Sequence, residues 1–329
     1  MYLKIMKVFK LLITLSVFIS VSPVFTQVCA DDNRFESVDF FSSSEIDSKK
    51  NLIYGSAING KGTTQDLAMD LYFPNTSVDK MYQRPLVLLI HGGGFQKGKR
   101  QALWTQCQTF AKRGYVVATI SYRLGFDPTI QGDVVKAVYR AQQDANTALR
   151  FLVAHAKDYK IDTSWIFIGG YSAGSITAFH TVYASQAEWN ALFPSLETEL
   201  GALNSSGNNL TETFSIRGIF NNWGSVNEGL MKLDEMIPTI SFHGELDNTV
   251  NIDLSPNGQM GSRAIHKVLE KNNICNDFTM AASGKHVVFN TDPEKVFTVN
   301  RASCFFKSLF CDNCTNFYSK EMVPASCSN

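Results

Sequence analysis

The stretch from Trp165 to Thr177, W-I-F-I-G-G-Y-S-A-G-S-I-T, constrains this chain more than any other. An apolar run of Ile166, Phe167 and Ile168 stops at Gly169 and Gly170, and beyond Gly174 the apolar residues Ile176, Ala178 and Phe179 resume at helical spacing. The pattern reads as a strand, a sharp turn and a helix. A turn this tight holds its central residue, Ser172, in a strained conformation, so small residues must flank it where backbone approaches backbone. The serine hydroxyl then stands at the end of the strand, before the free N–H groups and positive dipole end of the following helix.

The rest of the chain supplies the scaffold for such a turn. Ile53 to Gly55 and the alternating Leu67, Met69, Leu71 and Phe73 predict two antiparallel strands joined through Asn59-Gly60. Pro85 to Ile90 and Tyr115 to Ile120 are apolar without alternation, as strands buried on both faces of a parallel sheet are. Between them, residues 100–113 have helical spacing. From Val134 to Tyr159 the residues Val138, Ala141, Ala145, Leu149, Leu152 and Ala156 form one helical stripe. Asp162, Thr163 and Ser164 supply turn and capping chemistry before the central strand. Strands follow at Ile216 to Phe220, Pro238 to Phe242 and Phe278 to Ala281, with a helix over 261–271. The alternation predicts a mostly parallel α/β sheet with functional loops at its C-terminal edge. Residues 188–214, containing the polar Asn204 to Asn209, read as an inserted loop or small lid.

At the N-terminus, Lys4, Lys7 and Lys10 precede an apolar stretch from Leu11 to Phe25 and then small residues. This is the order of a secretory signal peptide, with Val28-Cys29-Ala30 resembling a cleavage site, so residues 1–30 are expected to be removed. The competing reading is an uncleaved anchor, but the stretch is short for a span of about 20 residues. Residues 31–50 are polar and serine-rich and read as a loosely held leader, leaving 51–329 as the catalytic domain. Cleavage after Ala30 removes Cys29 and leaves Cys107, Cys275, Cys304, Cys311, Cys314 and Cys327, an even set suited to disulfides in a secreted or periplasmic protein. Four of them lie in the tail over 302–329. The spacing of Cys311 and Cys314 also suits a metal, but no second pair matches it. Basic and acidic residues number 30 each, so no basic excess exists to hold nucleic acid or an anionic membrane. Asn75, Asn204, Asn209 and Asn313 lie in N-x-S/T sequons.

Serine alone is a weak nucleophile, so Ser172 needs a base and an orienting acid. His286, in a loop after the last predicted strand, is the candidate base. Asp247, in His243-Gly244-Glu245-Leu246-Asp247, is the candidate acid, with Glu245 as its rival. All three fall at strand C-terminal ends in the order serine, acid, histidine. A tetrahedral oxyanion would need fixed donors, and backbone N–H groups of Gly93, Gly94 and Ala173 are the candidates. Phe95, Tyr171 and Trp223 are candidate pocket residues.

These motifs, His91-Gly92-Gly93-Gly94-Phe95, Gly170-Tyr171-Ser172-Ala173-Gly174, His243 to Asp247 and His286, resemble the α/β-hydrolase superfamily over about residues 50–310. The likeness is to its carboxylesterase and acetyl-esterase-like branches. Arg113-Gly114-Tyr115, Ser121 to Leu124 and Tyr159 to Asp162 add to it. The resemblance implies an eight-stranded, mostly parallel sheet flanked by helices, no cofactor, and hydrolysis of carboxylic esters through an acyl-enzyme. Tyr171 and Ser175 depart from the residues more usual at those positions, as does the cysteine-bearing tail. The expected activity is that of a secreted serine esterase on short-chain or aryl esters. Lipase or polyester, feruloyl or acetyl-sugar substrates, and an amidase with the same residues, are alternatives. A non-catalytic binding protein on this fold would have lost one of the three residues, and none is missing.

Overall fold

The computed structural model describes Cys29, residues 33–325 and Cys327. The strands are β1 (Ile46–Ile58), β2 (Thr64–Pro74), β3 (Arg84–Ile90), β4 (Val116–Ile120), β5 (Ile161–Tyr171), β6 (Ile216–Asn222), β7 (Ser225–Asn227), β8 (Thr239–Gly244), β9 (Gln259–Gly261), β10 (Asn276–Ala281) and β11 (Phe317–Ser319). The helices are α1 (Trp104–Ala111), α2 (Asp133–Ala154), α3 (Ala156–Tyr159), α4 (Ala173–Tyr183), α5 (Gln186–Leu192), α6 (Leu196–Leu200), α7 (Ser262–Lys271) and α8 (Asp292–Phe310). One sheet has the order β1-β2-β4-β3-β5-β6-β8-β10-β11, which puts β5 at its middle. Only the pairings of β2 with β1 and β4 are antiparallel within it. A small antiparallel ribbon of β7 and β9 stands apart.

The unalternated runs are buried on both faces, as their sequence requires. In β3, Leu86, Leu88 and Ile90 face one core with α2, α4 and α7, while Val87 and Leu89 face a second core with α1 and α8. In β5, Ile166 and Ile168 share the first core and Phe167 the second, where it stacks on Phe306 at 3.9 Å. Helices therefore cover both faces, and the parallel strands end together at one edge.

The structure amends several expectations. A ninth strand, β11, extends the expected eight by pairing in parallel with β10. Asp162 to Ser164 lie inside β5 rather than before it. Their turn chemistry survives as an irregularity, with Asp162 accepting from the Ser164 N–H at 2.9 Å and the register against β3 shifting there. Of the stretch expected to be loosely held over 31–50, residues 33–50 are docked: Phe35 is buried in the second core, Phe41 is buried as well, and Ser303 Oγ donates to the Phe35 carbonyl at 2.6 Å. Arg34 pairs with the buried Asp79, and β1 begins at Ile46.

The polar stretch within 188–214 is fastened to β1 and α2. The Asn208 amide donates to the carbonyls of Tyr54 (2.9 Å) and Thr147 (3.1 Å), and the Ser56 N–H donates to the Gly207 carbonyl (2.7 Å). Its polarity satisfies backbone groups of β1 and α2.

The odd cysteine is Cys107, not Cys29. Cys29 pairs with Cys311, Cys275 with Cys314 and Cys304 with Cys327, whereas Cys107 is free and buried on α1. A cleavage after Ala30 would delete half of the first bridge. The C-x-x-C pair is divided between two bridges, and no group of His, Cys, Asp and Glu among the described residues is arranged to hold a metal ion. The expected signal peptide over 1–30 lies, apart from Cys29, outside the described residues. Among those described, no helix is long and apolar enough to cross a membrane.

Candidate active site

At the end of β5, Ser172 has φ 52° and ψ −119°, a conformation that a residue with a Cβ adopts only under constraint. The constraint comes from its neighbours. A Cβ on Gly174 would overlap the Ile90 carbonyl, and one on Gly170 would meet both that carbonyl and the Gly174 backbone. β3, the turn and α4 can therefore pack this closely only with glycine at both positions. Ser175, one of the departures from the usual pattern, ties the turn to β6: its Oγ donates to the Gly170 carbonyl at 2.6 Å and accepts from the Asn222 N–H at 3.0 Å.

Three loops converge on the serine. Ser172 Oγ lies 2.8 Å from His286 Nε2, and His286 Nδ1 lies 2.7 Å from Asp247 Oδ2. With Asp247 ionised, Nδ1 carries the proton and Nε2 is left to accept from the serine hydroxyl. Burial alone would raise the Asp247 pKa. Hydrogen bonds from His243 and His286, and from the Val250 and Thr249 N–H groups, outweigh it and hold the carboxyl at about 2. Glu245, the rival acid, is engaged elsewhere: its carboxylate accepts from the Ser283 N–H at 3.1 Å and braces the loop that carries His286.

His243, in the motif that carries the candidate acid, is a further residue of the site, one that the motif alone does not single out. It is fully buried, with Nε2 3.0 Å from Asp247 Oδ2 and also 3.0 Å from the Val250 carbonyl. Its tautomer follows from the chain behind it. The Gly224 N–H donates to Asn221 Oδ1, which orients that amide so that Nδ2 donates to Ser262 Oγ at 3.0 Å. Ser262 must then direct its own proton to His243 Nδ1, 2.7 Å away, which leaves the proton of His243 on Nε2. Asp247 Oδ2 thus receives two imidazole N–H donors. The signal that could have found His243 is its place at the end of a buried strand, four residues before the acid.

The glycine loop after β3 lies against the turn. A Cβ on Gly92 would sit 2.6 Å from the Tyr171 carbonyl oxygen and 3.3 Å from Ser172 Cβ. Gly93 has φ 119° and Gly94 φ 61°, and the Gly93 carbonyl accepts from the N–H groups of Gln96 and Lys97, both at 3.1 Å. The loop is a defined turn rather than a slack connection. Ala173 opens α4, where an N–H has no carbonyl one turn back to bond.

Of the three candidate pocket aromatics, one faces a cavity. Phe95 lines a space of about 810 Å³ together with Val134, Val138, Ile176, Leu192 and Phe193. Tyr171 points into the second core, its hydroxyl accepting from Gln106 Nε2 at 3.1 Å. Trp223 is buried between Tyr171, at 5.2 Å, and His286, at 6.4 Å. Alternation along β5 turns Tyr171 to the side opposite Gly170, so it supports the site from beneath.

The sheet order, the helices on both faces and the strained turn at the end of the middle strand define the α/β-hydrolase fold. Solved structures agree: an esterase of Thermogutta terrifontis, crystallised with propionate, superposes with a TM-score of 0.55 at 20% identity, over 80% of this chain and 93% of that one. The chain belongs to the BD-FAE family, whose pattern matches residues 69–237. Among curated proteins, neuroligin-like protein glit-1 of Caenorhabditis elegans is 31% identical over 116 residues, 35% of this chain and 16% of that protein. Gut esterase 1 of the same organism is 27% identical over 189 residues, 53% of this chain and 32% of that protein. The chain thus spans a third or less of the length of these two relatives.

Proposed function

We propose that this protein is a serine carboxylic-ester hydrolase in which Ser172 is the nucleophile, His286 the general base and acid, and Asp247 the group that orients the imidazole and stabilises its cation. The observation that carries the reading is the unbroken hydrogen-bonded path from Ser172 Oγ through His286 to Asp247, placed at a strained turn before a helix N-terminus. As Ser172 Oγ attacks the ester carbonyl carbon, its proton passes to His286 Nε2. The carbonyl oxygen becomes an oxyanion, for which the N–H groups of Gly93, Gly94 and Ala173 are the assigned donors. Collapse of the tetrahedral intermediate breaks the bond to the alkoxy oxygen, which leaves with the proton from His286, and Ser172 is left acylated. Water then enters and bonds to the acyl carbon as it loses a proton to the same nitrogen; the bond to Ser172 Oγ breaks, Oγ takes that proton back from His286, and the acid is released. One oxyanion donor is worth about 3 kcal/mol of barrier in such reactions.

The names of the esterases similar to this chain support the same reading. Three disulfides support a site of action in an oxidising compartment, reached with Cys29 retained and therefore with any processing upstream of it. The test is hydrolysis of p-nitrophenyl esters from acetate to palmitate by wild type and Ser172→Ala side by side. Turnover concentrated at short chains and lost in the variant is expected. Equal turnover by both proteins would refute the nucleophile, and a maximum at palmitate would refute the short-chain assignment.

A further inference from the structure

We propose, resting on the ester-hydrolase reading above, that the cavity lined by Phe95 and Ile176 receives the acyl part of the substrate and carries a hydrogen-bond acceptor, His180 Nε2, two turns along α4 from Ser172. It selects esters whose cavity-bound part is apolar near the carbonyl and carries a hydroxyl donor at the depth of His180. The cavity follows α4. Ile176 lines it one helical turn past Ser172, and His180 lines it one turn further, so eight residues place the imidazole about 12 Å along the helix from the nucleophile. Much of the wall offers carbon: Phe95 and Ile176, with Val134 and Val138 of α2 and Leu192 of α5.

The protonation of His180 is fixed by its own helix. Nδ1 lies 2.8 Å from the Ile176 carbonyl, which can only accept, so Nδ1 holds the hydrogen and Nε2 presents a lone pair. Burial disfavours the cation and keeps the ring neutral. The Trp189 ring lies against the imidazole at 5.5 Å and 27°, holding its plane, while the indole N–H is committed to Gln142 Oε1 at 2.6 Å. Two other polar residues lining the cavity are engaged, Glu188 with Lys232 and the Ser185 N–H, and Asn227 with the Gly229 N–H; Thr249, Ser255 and Asn257 also line it, on loops apart from α4. Among the described residues His180 Nε2 has no hydrogen-bond partner, yet it is not among the polar atoms sealed from solvent. In the free protein water serves it. An alkyl tail that fills the cavity expels that water and returns nothing, whereas a hydroxyl replaces it. Leaving such an acceptor unmade costs on the order of ten- to a hundred-fold in kcat/KM.

The experiment compares ethyl esters of straight-chain acids from six to ten carbons, each with and without a terminal hydroxyl, on wild type, His180→Phe and His180→Gln. The readout is the ratio of kcat/KM for the hydroxylated to the plain ester at each length, which is internal to each protein and cancels any general loss of activity. In wild type the ratio should peak at one length and exceed about tenfold there. His180→Phe keeps a ring for Trp189 and removes the acceptor, so its ratio should fall below one, and His180→Gln, whose amide oxygen accepts, should recover part of it. A ratio near or below one in wild type at every length, or a peak unchanged in His180→Phe, would overturn the inference. Absence of turnover on p-nitrophenyl acetate as well would count against the hydrolase reading instead. The inference would then be decided by calorimetric binding of the hydroxylated and plain acids to the wild-type protein and His180→Phe, with the same preference expected in wild type alone.

Discussion

Ser172 is held where a side chain is unfavourable, so of two inactive variants Ser172→Gly should be more stable than Ser172→Ala. The conformation at φ 52° and ψ −119° costs a residue bearing a Cβ about 1–3 kcal/mol, and glycine escapes that cost. Against this, glycine gains freedom in the unfolded chain, worth about 0.4–1 kcal/mol. Both Ser172→Gly and Ser172→Ala lose the hydrogen bond to His286 Nε2, so the comparison between them isolates the Cβ. Ser172→Gly should therefore exceed Ser172→Ala by about 0.5–2 kcal/mol, or roughly 1–4 °C in Tm at about 2 °C per kcal/mol for a domain of this size. Thermal unfolding followed by circular dichroism, with disulfides intact, measures the difference. If Ser172→Gly melted at or below Ser172→Ala, the turn would not be strained in the way its dihedrals imply.

Other consequences follow from the same geometry. Gly174→Ala would drive a methyl group into the Ile90 carbonyl and should destabilise the fold by about 3 kcal/mol or more, seen as a lowered denaturant midpoint. Asp247→Asn should lower kcat by about 10⁴-fold, while Glu245→Gln, which only loosens the brace on the Ser283 N–H, should cost far less; esterase kinetics on the two variants decide it. The folded-state pKa of Asp247, about 2, lies below its ordinary 3.8. Its charge therefore contributes stability that is present above pH 3.8 and lost as pH falls through about 2, and acid unfolding of Asp247→Asn should lack that dependence. Thiol titration should find Cys107 unreactive in the native protein and one thiol per chain after unfolding without reductant, where a higher count would contradict the three bridges.

The sequence by itself determined the features that depend on short stretches. Unalternated apolar runs can be satisfied only between two layers, so β3, β4 and β5 were legible, as was the turn at Gly170 to Gly174. The candidate serine, acid and histidine were legible because each follows such a run, and in a parallel sheet all those ends meet at one edge. What depends on distant chain segments was decided by tertiary structure. Asp247 rather than Glu245 faces His286 because the 281–286 loop crosses that strand end in one register, with the Leu246 N–H donating to the Gly284 carbonyl at 2.7 Å. His243 gained its place behind the acid only when Ser262 and Asn221, from separate elements, closed the chain of donors. Residues 33–50 looked polar in sequence, but Phe35 found a core that did not exist until α1 and α8 had packed. The odd cysteine, too, was settled by proximity, since Cys29 and Cys311 are 282 residues apart in sequence and no spacing rule joins them. Local patterns fix which backbone conformations a segment can satisfy. Which side chains then meet is fixed by the packing of all of them at once.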